Sequence, residues 1–148
     1  MKEHNRHRLA LIDARFGRSN SDSSDAEAFE AAFFRVCDEV IRPVMEDVAA
    51  ELGKLGHSPR IETGKLLHED EWISPTISLR LGMRGRGEDS GYAAFGVLRW
   101  GAQPEVLAWL LVPPTPFDLY RYAHPNDIQA DNVEQLLVDA VEHIFAHC

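Results

Sequence analysis

The sequence predicts an α+β domain, an antiparallel β-meander of three to five strands packed with a long N-terminal helix and a C-terminal helix. Three observations carry this reading. Apolar residues recur at spacings of three and four from Phe29 to Leu55, alternate at two from Thr76 to Val112, and return to the helical spacing after Asp131. With 148 residues, 45% hydrophobic and 26% charged, the chain suits one substantial core and not two large domains. We therefore divide it into residues 1–23, an expected flexible basic segment and linker, and residues 24–148, a single α+β domain.

The first eighteen residues hold Lys2, Arg6, Arg8, Arg15 and Arg18 against Glu3 and Asp13, so the acidity lies in the rest of the chain. Leu9, Ile12 and Phe16 can form a turn and a half of helix, too short to be stable alone. Between Ser19 and Asp25 the chain is small and polar. At Ser24 the spacing to Glu27 is that of a capping box, which predicts a helix start there. The stripe Phe29, Phe33, Val36, Val40, Val44, Val48, Leu52 and Leu55 follows, with acids on much of the remainder. Pairs Arg35–Glu39 and Arg42–Glu46 are spaced to meet across one turn. Pro43 lacks an amide hydrogen and predicts a kink or two abutting helices, and Gly56 predicts a left-handed stop.

Strands are expected at Arg60–Leu67, Thr76–Arg84, Tyr92–Trp100 and Glu105–Val112, with Phe117–Tyr122 as an edge strand or extended arm. Pro113, Pro114 and Pro116 must end the fourth of the first group, because proline donates nothing to a ladder. A trial register sets Met83 opposite Tyr92, Leu79 opposite Gly96, Leu98 opposite Leu107 and Gly96 opposite Trp109. One face then gathers Ile77, Leu79, Leu81, Met83, Leu98, Leu107, Trp109 and Leu111, with Gly96 leaving room for the indole. The other mixes Thr76, Ser78, Arg80, Arg84 and Arg99 with Phe95, Val97, Val106, Ala108 and Leu110, and is too apolar to face water. A helix, the N-terminal segment, another subunit or a ligand is expected to cover it. Asp131 with Glu134 marks the start of the last helix, whose stripe is Val133, Leu136, Leu137, Ala140, Val141 and Ile144.

The net charge of −9 argues against nucleic acid or an anionic membrane as the main partner. The run Leu9–Ile12 is too short for a signal-peptide core or a membrane span. Cys37 and Cys148 form no disulfide framework, so a reducing, cytoplasmic setting is expected. Nucleotide-binding glycine loops, CxxC and HExxH are absent from the sequence. His68 with Glu69, Asp70 and Glu71 offers acid–base groups but reads best as a charged loop; the same applies to His124 and Asp127. Asp139, His143 and His147 share a helix face, yet two imidazoles leave half a tetrahedral shell unfilled, so neither metal nor cofactor is expected. Cys37 reads as a small buried hydrophobe.

The leading expectation is thus a non-catalytic domain that binds a protein partner, most simply a second copy as a homodimer. Phe95, Val97, Phe117, Tyr120 and Tyr122 are its candidate contact residues. The alternative is a small-molecule binder or enzyme with a helix–sheet pocket, in which Arg80, Arg84 and Arg99 receive an anion. Size, acidity and helix–meander–helix order are similar to those of small bacterial secretion chaperones and some immunity proteins. The secretion chaperones usually insert a helix between strands, where this chain runs three strands without one, and no residue role is carried over.

Overall fold

The computed structural model describes residues 2–9, 20–85, 89–99 and 103–147. Expectations for Ile12, Phe16, Trp100 and Cys148 lie outside them. From residue 20 onward the elements in order are α1 (Asn20–Val36), a π-helical turn (Cys37–Ile41), α2 (Arg42–Lys54), β1 (Ser58–His68), β2 (Glu71–Gly82), β3 (Gly91–Leu98), β4 (Glu105–Val112), β5 (Thr115–Tyr122), a 3₁₀ turn (Pro125–Asp127) and α3 (Ala130–Ala146). The five strands form one antiparallel sheet in sequential order, flanked by the N- and C-terminal helices as the sequence predicts. No helix among the described residues is long and apolar enough to cross a membrane.

Helix α1 runs Asn20–Val36, so Ser24 lies within its helical backbone and not at the start that the Ser24–Glu27 spacing predicts. The interruption expected at Pro43 appears just upstream as the π-helical turn, with Pro43 in the first turn of α2. A wider turn suits a position where proline offers no amide to the ladder. It also shifts the buried stripe by one residue: Ile41 and Met45 are fully buried, where Val40 and Val44 were expected to lead. Arg42 meets Asp38 at 3.9 Å and Arg35 donates to Asn126, so neither expected glutamate pair forms. At the end of α2, Gly56 takes φ +90° while the His57 amide donates to Leu52 O and the Gly56 amide to Gly53 O. This double bond pattern closes the helix as predicted.

The register differs from the trial one. Strand β3 pairs Gly96 with Thr76, Phe95 with Ile77 and Leu79 with Ala93, three residues away from the expected alignment. Between β3 and β4 the shift is two, with Leu98 opposite Glu105 and Gly96 opposite Leu107. A shift of three moves every side chain of β2 to the other set, whereas a shift of two preserves the faces. Ile77, Leu79 and Leu81 therefore join Phe95, Val97, Val106, Ala108 and Leu110 beneath the helices, against Phe33, Ile41, Met45, Val133, Leu137 and Ile144. Thr76 and Ser78 fall on the opposite face with Tyr92, Leu107 and Trp109.

That opposite face is covered by the chain itself. The β1–β2 ladder is irregular between Gly64 and Leu66, and a bulge of this kind bends a strand. Beyond it the hairpin turns at Glu69 and Asp70, both at positive φ, as a two-residue hairpin loop of type I′ requires. Leu66 and Ile73 pack with Tyr92, Ala94, Leu98, Leu107 and Trp109 in a second apolar cluster. Gly96 is the point of closest approach: a Cβ there would lie 2.7 Å from Ile73 Cγ2 and 2.8 Å from Thr76 Cγ2. Its missing side chain makes room for β2, and not for the Trp109 ring as the trial register required.

Candidate functional site

His68 ends β1 on one edge of the sheet, and Asp118 stands on β5 at the other edge. Folding of the hairpin across the face brings His68 Nε2 to 2.8 Å from Asp118 Oδ1. The imidazole is buried and meets Trp109 edge-on, with ring centroids 5.5 Å apart, while Asp118 is half exposed. His68 thus ties the hairpin down over the second cluster.

Strand alternation decides what the other side of the hairpin shows. Leu66 and Ile73 are cross-strand partners and point inward; Leu67 and Trp72 are the next pair and point outward. Leu67 is 51% and Trp72 60% exposed, and Lys65 Nζ lies 4.8 Å from the centre of the indole. Between this pair, Tyr92, Leu111, Pro114 and Pro116 lies a groove of about 470 Å³, with Lys65, Glu69 and Arg80 bearing its charges. The combination of a Trp face, apolar walls and a few charges suits a protein side chain or an extended segment.

Of the predicted contact residues, Phe95, Val97 and Tyr122 are buried in the main core and cannot meet a partner in this arrangement. Burial, and secondarily Tyr120, pushes the Tyr122 hydroxyl up to about 12, and it donates to Asn132 of α3. Phe117 and Tyr120 are exposed, Phe117 beside His143 with ring centroids 5.0 Å apart. The predicted anion-binding arginines do not converge. Arg80 is held by Asp89 and Glu62 over the Tyr92 ring, Arg84 donates to Leu55 O, and Arg99, past the far end of β3, pairs with Glu30 and donates to Ser74 O. Each guanidinium has separate protein partners.

His143 and His147 stack 4.5 Å apart, but His147 Nδ1 is engaged at 2.7 Å with the His143 carbonyl, and Asp139 accepts from Gln135. Among the described residues no three His, Cys, Asp or Glu side chains gather as metal ligands would. Cys37 lies in the π-helical turn, its thiol pushed up to about 12 by burial and then by Asp38, and it is inert as a nucleophile at neutral pH. Trp72 was missed as a site residue because the hairpin read as a charged loop; the usable signal was the symmetry of Leu66-Leu67 and Trp72-Ile73 about a short polar turn. Comparison with protein-family models, with curated proteins and with solved structures returns no match.

Proposed function

We propose that this domain is a non-catalytic protein-binding module that engages its partner, most simply a second copy of the chain, through the outer-face groove. One observation carries the reading: the outward pair of the hairpin is Leu67–Trp72. The fold needs only the inward pair, Leu66–Ile73, to be apolar, since that pair closes the second cluster. Polar residues facing out would serve the hairpin equally well, so the exposed pair is accounted for by what it touches in a complex. Burying the half of each side chain that is still exposed contributes about 1–1.5 kcal/mol, and tryptophan is enriched among the contacts that dominate binding energy.

Light scattering across a tenfold concentration range tests this. The wild type is expected to approach about 33 kDa, twice the 16.7 kDa chain, and a Leu67→Ser/Trp72→Ala variant to remain at the single-chain mass. The reading fails if the wild type stays at 16.7 kDa throughout and a random peptide library yields no ligand whose binding the double variant loses.

A further inference from the structure

We infer that a second groove, on the helical layer, docks a Lys- and Arg-bearing amphipathic helix of a partner protein. Helices α2 and α3 pack against one another and leave between them a groove of about 310 Å³. Val48, Leu52, Val138 and Val141 supply its apolar surface. Leu52 is buried and belongs to the core, whereas Val138 is half exposed on the groove wall. The charged residues lining it are Asp47, Glu51 and Glu134, and no cation joins them. Lys54 reaches Glu51 at 3.1 Å, but Asp47 and Glu134 have no cationic partner among the described residues.

The occupant follows from this combination. Two helices side by side present the surface on which a third helix lays its apolar stripe, read at spacings of three, four and seven. Carboxylates on both walls, Asp47 and Glu51 from α2 and Glu134 from α3, favour a helix whose flanks are cationic and disfavour an acidic one. A neutral extended segment would satisfy the valines and leave the charges unused. This surface lies on the opposite side of the sheet from the hairpin groove and does not depend on the reading proposed for it.

The probe is a fluorescent helix-forming peptide with Leu at three–four spacing and Lys elsewhere, followed by anisotropy at physiological salt. Two control peptides replace Lys by Glu, or Leu by Ser. The Leu/Lys peptide is expected to bind, with both controls about tenfold weaker or worse. Val138→Arg should weaken it about tenfold, and Asp47→Lys/Glu134→Lys should reverse the preference toward the Leu/Glu peptide. Leu67→Ser/Trp72→Ala should bind it as the wild type does, which separates the two surfaces. Circular dichroism checks each fold; the double charge reversal alters only exposed side chains and carries the test if Val138→Arg does not fold. Equal binding of the Lys/Ser peptide, or unchanged binding by the groove variants, overturns the inference by assigning attraction to general acidity. A change of oligomeric mass in Val138→Arg also overturns it, by identifying a second copy as the occupant.

Discussion

Gly96→Ala distinguishes the folded-over hairpin from an open sheet face by the sign of its effect. Gly96 lies inside β3 without a positive φ, so its backbone accepts alanine. On an open face the substitution should stabilise the protein by about 0.4–1 kcal/mol, because alanine reduces the freedom of the unfolded chain. Here the added methyl would meet Ile73 Cγ2 at 2.7 Å, Thr76 Cγ2 at 2.8 Å and Pro75 O at 3.3 Å. Two of these are methyls on β-branched side chains, stiff at χ1, and the third is backbone, so relief requires β2 to move. Overpacking of this kind costs about 1–3 kcal/mol. After the backbone gain is set against it, the net expectation is a loss centred on about 1.3 kcal/mol, within a range of about 0–2.6 kcal/mol. In a domain of this size that lowers the melting midpoint by about 2–8 °C. Urea denaturation with a shared slope reads the difference directly. In an Ile73→Ala background the cost should shrink by at least about 0.5 kcal/mol, since one of the three obstacles is gone. A midpoint equal to or above wild type for Gly96→Ala would refute the closure of the hairpin over β3.

Trp109→Ala should cost about 3–5 kcal/mol, because the indole is fully buried between the sheet and the hairpin. Denaturation showing a change below about 1 kcal/mol would contradict that placement. For Cys37, the folded thiol at about 12 lies above its ordinary 9.0, so the native state holds the proton that the unfolded state releases. Its stabilisation is whole below pH 9.0 and declines as pH rises toward 12, a loss that should be smaller in Cys37→Ala when urea midpoints at about pH 8 and about pH 10.5 are compared. Equal losses in the two proteins would place the thiol in water.

What the sequence made legible was the part in which one period dominates. The alternation of Ile77, Leu79 and Leu81 against Ser78 and Arg80 defines β2, and the spacing of Val133, Leu137, Ala140 and Ile144 defines the buried stripe of α3. The π-helical turn was not legible, because Val40 and Ile41, or Val44 and Met45, are adjacent apolar pairs that fit either phase of the stripe. The candidate site was less legible still. His68 and Asp118 are fifty residues apart and meet only after the hairpin crosses the sheet, a contact no local spacing encodes.

Register was lost for a related reason, and the way it was lost connects the fold to the proposed function. In β3 both alternating sets are apolar, Tyr92, Ala94 and Leu98 in one and Ala93, Phe95 and Val97 in the other, so either set could face the helices. Such a strand fixes its pairing through contacts from outside itself. Here the Gly96 gap received by Ile73 and Thr76 supplies one, and it works only if the hairpin bends across β3. A face that is apolar on both sides therefore did not require a second subunit to cover it: the chain spends Leu66, His68 and Ile73 on that task. On the hairpin itself, Leu67 and Trp72 remain exposed on the far side of the cover. Partner binding at this hairpin, as proposed, thus acts on the same element that closes the second cluster. Engagement of Trp72 should consequently slow the opening of the hairpin as well as bury the indole.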